Sequence, residues 1–176
     1  MKIAVSGKSG CGNSSASRIV ADRLGLRLIN YTFRTMAQER GMSFQEFSRL
    51  AEADTSYDRY LDKRQVEMAR EGNCVLGSRL AIWLLEEADL RVYLTAKVEV
   101  RAVRIGKREG KEYEQALAET IDRDRRDRER YLKLYEIDND HFEFADLLID
   151  TEKYDVYEVA DLIVKRAQTI GGSGTT

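Results

Sequence analysis

Short apolar runs alternate with amphipathic stretches along almost the whole chain. Residues 2–6 (Lys-Ile-Ala-Val-Ser) are apolar and β-branched and lead straight into a glycine-rich turn, which predicts a buried strand ending in a loop. Residues 14–24 follow as a helix, because Ala16, Ile19, Val20 and Leu24 recur at three-to-four-residue spacing and form one apolar stripe. A weak second strand is expected over 27–30. Helices are then expected over 33–40, 43–53 and 56–71, punctuated by Gly41 and Gly72. Ser43 with Glu46 three residues on is a capping-box pattern.

Beyond that block the pattern predicts strands at 73–76, 90–95 and 147–150, and helices at 79–87, 98–109, 111–135 and 156–168. The chain closes on Gly-Gly-Ser-Gly-Thr-Thr, residues 171–176, a flexible tail with nothing to bury. Short apolar strands alternating with amphipathic helices imply an α/β fold with a five-stranded parallel sheet flanked by helices. Ligands on such sheets sit at the carboxyl ends of the strands. At 176 residues the chain fits one domain, taken as residues 1–170.

Composition narrows the ligands. The chain is 43% hydrophobic and 34% charged, and its 29 basic and 31 acidic residues leave a net charge of −2. That balance gives no global attraction to nucleic acid or anionic membrane, so an anion site must be built locally and small anions suit it better than polymers. Cys11 and Cys74 make neither a C-x-x-C pair nor a disulfide framework, no leader precedes the first strand, and no apolar run nears the roughly 20 residues needed to span a bilayer. A cytoplasmic protein is expected, and no proline breaks any helix.

The local anion site is the loop itself. Gly7, Lys8, Ser9, Gly10, Cys11, Gly12, Asn13 and Ser14 follow the spacing G-x-x-x-x-G-K-[ST], with Asn13 where lysine is expected. Glycines let successive N–H groups converge, the helix start adds its positive end, and together they cradle phosphate oxygens. Ser14 is placed to contact Mg²⁺ and Ser15 a further phosphate. The plainer alternative is a glycine-rich turn with no ligand. Asn13 brings no charge, so a cation must come from elsewhere, and Lys8 is one candidate. Cys11 reads as a small loop residue rather than a redox group.

Residues 121–131 read Ile-Asp-Arg-Asp-Arg-Arg-Asp-Arg-Glu-Arg-Tyr. Arg123, Arg126 and Arg130 at i, i+3 and i+7 place three guanidinium groups on one helical face, and Asp127 could orient Arg126 and Arg130. A solvated helix laced with ion pairs is the alternative. With the loop present, a face closing over a triphosphate is the stronger reading, because phosphoryl transfer needs cations on the migrating group and exclusion of water. On it, Arg126→Ala is expected to lower turnover more than tenfold.

Taken together, residues 7–15, 33–43 (Phe-Arg-Thr-Met-Ala-Gln-Glu-Arg-Gly-Met-Ser), 61–65 (Leu-Asp-Lys-Arg-Gln), 78–81 (Ser-Arg-Leu-Ala), 101–105 (Arg-Ala-Val-Arg-Ile) and 123–130 resemble the cytidylate kinase family, most closely its short archaeal-type branch. The resemblance implies a P-loop NTPase fold with a helical monophosphate-binding insert at about 33–71 and an arginine-rich lid at about 107–130. It implies ATP with Mg²⁺, and transfer of the γ-phosphate to CMP or dCMP. Arg34 and Arg79 fall where family arginines hold the acceptor monophosphate, although each could be a plain surface charge. Arg123, Arg126, Asp127 and Arg130 fall on the lid's R-x-x-R-D-x-x-R pattern.

The chain departs from that pattern at Asn13, at Gly77 and Ser78 in place of an acid and a glycine, and at Asn30-Tyr31-Thr32 in place of a longer S-x-G segment. Tyr31 and Phe33 could stack on a base or belong to the core. His141 reads as an exposed or capping side chain, and no side-chain base is needed because an acceptor phosphate is already ionised. A kinase for another small acceptor and a catalytically weak nucleotide-binding sensor or scaffold are the competing readings, with a ligand-free structural protein the most distant.

Overall fold

The structure, a computed structural model, describes residues 1–172. Five strands form one parallel sheet in the order β2-β3-β1-β4-β5: β1 Lys2–Gly7, β2 Arg27–Ile29, β3 Cys74–Gly77, β4 Leu90–Thr95 and β5 Leu147–Asp150. The chain moves to one side of β1 for β2 and β3, then to the other for β4 and β5. This reversal opens a crevice at the carboxyl end of β1, where α/β sheets bind ligands.

Alternation along β1 divides the core between the two faces of the sheet. Ile3 and Val5 pack with Val92 and Leu94 beneath α1 (Asn13–Leu24), while Val159 and Ile163 of α8 (Val156–Gly172) close the same cluster. Ala4 and Tyr93 face the other way, against Leu76, Ala81 and Ile82. Helices α2 (Phe33–Glu39), α3 (Phe44–Ala53) and α4 (Ser56–Arg70) stand to one side around a smaller core of their own, Met36, Ala37 and Phe47 with Tyr31. The expected Ser43–Glu46 capping box is formed.

The expected helix over 79–87 shrinks to the single turn α5 (Ala81–Leu84). Leu80, Ala81, Ile82 and Leu85 are all buried, so this stretch carries no amphipathic period, and the exposed Glu87 pairs with Lys2 and Arg70 instead of extending the helix. Helix α6 (Val98–Glu109) matches expectation, while α7 (Tyr113–Tyr135) begins two residues late because Gly110 turns left-handed and Lys111 N–H closes on Gly106. Helix α8 continues through Gly172, taking in the first two residues of the expected tail; residues 173–176 lie outside the described residues.

Candidate active site

The glycine-rich loop leaves β1 and enters α1 with Gly10 and Gly12 at φ 88° and 94°, conformations that favour glycine. Gly12 caps α1 without a side-chain hydrogen bond, so the first N–H groups of the helix are left for a ligand. A Cβ at Gly12 would meet nothing within 4 Å, so it is the left-handed φ, not crowding, that calls for glycine there. A cavity of about 480 Å³ opens over it, floored by the loop residues with Ser14 and Ser15 and walled by Arg79, Arg104, Arg108 and Arg123.

Arginines also hold the loop from behind. Arg101, buried, donates to the Ser9 carbonyl at 3.1 Å and grips Asp124 of α7 through both Nη atoms. Arg104 donates to the Gly10 carbonyl at 3.2 Å and to Thr151. By engaging these carbonyls they hold the loop in one conformation. Arg123 Nη1 reaches Ser9 Oγ at 3.2 Å, which brings α7 to the loop.

Asn13 stays inside the loop. Its Nδ2 donates to the Gly7 carbonyl at 2.6 Å, and its Oδ1 is buried with no partner. Lys8, the candidate replacement for the missing lysine, lines the cavity but is paired with Asp140 at 2.6 Å. Cys11 is buried, and that burial pushes its thiol up to about 11 against the pull of Arg101 and Arg104, so it is inert at neutral pH. Gly77 has a packing reason: a Cβ there would run into the Ser17 side chain of α1, leaving no room for an acid.

A second cavity, of about 490 Å³, lies between the α2–α4 block and α7. Arg79 lines both cavities. Arg34 is exposed at the mouth of the second with its guanidinium 4.6 Å over the Phe44 ring, and no carboxylate pairs with it among the described residues. Arg130 lines the same cavity; it lies 3.0 Å from Asp127 and 3.6 Å from Asp58, and its Nε is buried without a partner. Tyr31 and Phe33 belong to the small core and also line the wall of this cavity.

The three-arginine face is only partly formed. Arg123 points to the loop and Arg130 to the second cavity. Arg126 lines neither, and pairs with Asp122 at 2.9 Å with 65% of its side chain exposed. Asp127 accordingly pairs with Arg79 at 2.8 Å and with Arg130, and not with Arg126. His141 is exposed at 78% and lies 3.9 Å from Asp138, away from both cavities.

Several residues of the site carry no role of their own in the sequence, and some of them stand there only within the segments 61–65 and 101–105. Arg101, Arg104 and Arg108 repeat along α6 at the i, i+3, i+7 spacing seen in α7, a signal present in the sequence. On α4, Asp58, Asp62 and Gln65 share a face with Leu61 and line the second cavity. Polar residues in register with an apolar stripe were the available clue. Burial raises the Asp58 and Asp62 carboxyls, Asp62 to about 6, even though the Tyr135 hydroxyl donates to Asp62 Oδ2 at 2.6 Å.

Comparison with known proteins follows the same lines. Residues 2–153 match the model of the cytidylate kinase-like family. Cytidylate kinase 2 of Borreliella afzelii is 48% identical over 167 residues, covering 93% of this chain and 94% of the relative. The cytidylate kinase of Archaeoglobus fulgidus is 41% identical over 171 residues, covering 96% and 95%. Among solved structures, shikimate kinase from Acinetobacter baumannii in complex with shikimate superposes with a TM-score of 0.60 at 18% identity, over 99% of this chain and 95% of that one. Deoxyadenosine kinase from M. mycoides with bound dATP gives 0.57 at 18%, over 96% and 100%. At that identity the structural likeness speaks for the fold alone.

Proposed function

The chain belongs to the cytidylate kinase-like family, and from that premise we propose that it transfers the γ-phosphoryl group of ATP to the 5′-phosphate of CMP or dCMP, giving ADP and CDP or dCDP. The observation that carries the reading is the meeting of two cavities at Arg79, one floored by a phosphate-binding loop and one lined by aromatics and arginines. Two anionic substrates repel each other, and a guanidinium shared between their pockets offsets that repulsion where the phosphoryl group must cross.

In this reading the backbone N–H groups of residues 7–15 bind the donor phosphates. The Ser14 hydroxyl, which lines the cavity with no protein hydrogen bond among the described residues, would hold Mg²⁺. When bound there, Mg²⁺ would supply neutralisation of the donor's phosphate charge. Arg123 sits over the donor, and Arg34, Arg79 and Arg130 hold the acceptor phosphate, with Asp127 fixing Arg79 and Arg130. Asn13 braces the loop, and the arginines around it provide the cationic field that a lysine there would have added. Lys8, held by Asp140, contributes to that field.

The acceptor oxygen attacks without a side-chain base, since phosphate is ionised at neutral pH. Residues 33–71 act as the acceptor insert, and the segment from about 107 to 130 closes as a lid that excludes water. No described helix is long and apolar enough to cross a membrane, and we place the reaction in the cytoplasm, where nucleotides circulate. The named relatives favour CMP over another acceptor and an enzyme over a sensor or scaffold.

The test is ADP release from Mg²⁺-ATP against a panel of CMP, dCMP, UMP, AMP and dTMP. CMP or dCMP is expected to give the highest kcat/KM. Turnover confined to another acceptor, or none above the ATP blank, removes the reading.

A further inference from the structure

The second cavity has a cationic side and an acceptor side. Arg79 and Arg130 provide the first. Facing inward from α4, Asp62 and Gln65 provide the other, with Phe33, Phe44 and Leu80 as apolar walls around them. The Tyr135 hydroxyl occupies Asp62 Oδ2, and Oδ1 has no protein hydrogen bond among the described residues. Gln65 is buried and its Nε2 donates to the Tyr31 carbonyl at 2.8 Å. A carbonyl can only accept, so the amide is held in one orientation with Nε2 committed to Tyr31, and its oxygen Oε1 has its lone pairs free to accept, beside the second N–H. Both side chains therefore offer lone pairs, inside a slot with flat apolar walls.

Pyrimidines differ at the edge such a wall would touch. Cytosine carries an amino group at C4, a double donor, whereas uracil carries a carbonyl oxygen there. Lone pairs attract the first and repel the second. We propose that Asp62, seconded by Gln65, reads the exocyclic amino group of the acceptor base and sets the preference for cytidine over uridine monophosphate. The proposal rests on the reading of this cavity as the acceptor site. A buried group built to pair with a donor discriminates strongly against a ligand that lacks one, because its lone pairs are then left facing a lone pair in a desolvated setting. Burial has also raised the Asp62 carboxyl to about 6, so at pH 8 it is ionised and can only accept.

Steady-state kcat/KM for CMP and UMP, measured at pH 8 with saturating Mg²⁺-ATP, tests this in wild type and Asp62→Asn. In the variant the Tyr135 hydroxyl still donates to the side-chain oxygen, which turns the amide NH₂ toward the cavity and offers a donor where an acceptor stood. The CMP/UMP ratio is expected to fall at least 20-fold, chiefly through KM for CMP, while KM for ATP stays within twofold. Equal losses on both substrates, the mark of a merely structural role, would overturn the assignment, as would an unchanged ratio. If Asp62→Asn fails to fold, Gln65→Leu serves: the ratio should drop about fivefold, and no change sinks the proposal. A wild type inactive on CMP would remove the kinase reading and this proposal together; a wild type active on CMP whose variants keep its ratio removes this proposal alone.

Discussion

The two cavities that meet at Arg79 are made in opposite ways. The loop cavity is floored by one contiguous segment, Lys8 to Ser15, whose glycines leave backbone N–H groups open, with arginines of α6 and α7 reaching in from the side. The other is assembled from side chains between Tyr31 and Tyr131, contributed by separate helices and the turn after β3. Phosphate presents several equivalent acceptor oxygens, and a local backbone conformation can satisfy it. A base edge presents a particular order of donors and acceptors, and matching it requires groups brought from distant parts of the chain.

Arg79 is where the contrast breaks, because it belongs to both sides, and its loss is expected to be the largest single effect. Arg79→Ala should lower kcat/KM for ATP and for CMP together by about 10³-fold, or ~4 kcal/mol of transition-state stabilisation. It also strips Asp127 of its 2.8 Å partner. A loss confined to one substrate would show that the cavities do not share this group.

Gly10→Ala should then separate the two sides. A Cβ there would lie 2.9 Å from Arg101 Cβ and 3.1 Å from the Arg101 carbonyl, at a φ of +88°, so either the loop or α6 must shift. Strain of that kind is expected to raise KM for ATP by about 100-fold, ~2.7 kcal/mol, while CMP binding by calorimetry stays within twofold. Equal damage to both substrates would mean that the acceptor side depends on the loop's shape.

Asp62 distinguishes the sides by stability as well as by rate. Its carboxyl titrates at about 6 in the folded chain against an ordinary 3.8, so folding favours the protonated form. Its contribution to stability is therefore fully present below about pH 3.8 and is lost as pH rises through 6. By pH 8 the loss is ~3 kcal/mol as an upper bound, from a shift of about two pH units. Asp62→Asn should accordingly raise the melting temperature at pH 8 by several degrees, with the gain vanishing near pH 4. A carboxylate placed there only to hold α4 against α7 would lower it at both pH values.

Legibility in the sequence follows the same division. The order of strands and helices could be read because each strand is a short apolar run and most helices carry a clear stripe. It failed at residues 79–87, where the run of buried apolar residues Leu80, Ala81, Ile82 and Leu85 carries no helical period and only Ala81–Leu84 form a turn of helix. The loop from Gly7 to Ser15 was legible because its chemistry is contiguous. Asp62 and Gln65 stood in the segment 61–65, but their placement, like that of Asp58, was not legible, because a polar residue facing inward from a helix looks like one facing water until the partner wall, here Tyr31 and Tyr135, is in place. Gly77 was legible as a departure but not as a consequence of packing, since its neighbour Ser17 is sixty residues away in the chain.

Arg126 carries the smallest predicted effect and tests the lid itself. At 3.6 residues per turn Arg123 and Arg130 point within about 20° of each other, whereas Arg126 is turned away by about 60°. Spacing thus places it on the shoulder of the face, and the structure leaves it outside, paired with Asp122 in solvent. An exposed pair of that kind contributes about 0–1 kcal/mol. Arg126→Ala should therefore change kcat by less than about threefold and hardly move the melting temperature, against a loss of about 10-fold or more for Arg123→Ala, which removes a cation at the donor loop. If kinetics instead show a tenfold fall for Arg126→Ala with an unchanged melting temperature, α7 must roll on closure and carry Arg126 over the donor phosphates. The three arginines would then form the single face that their spacing suggested.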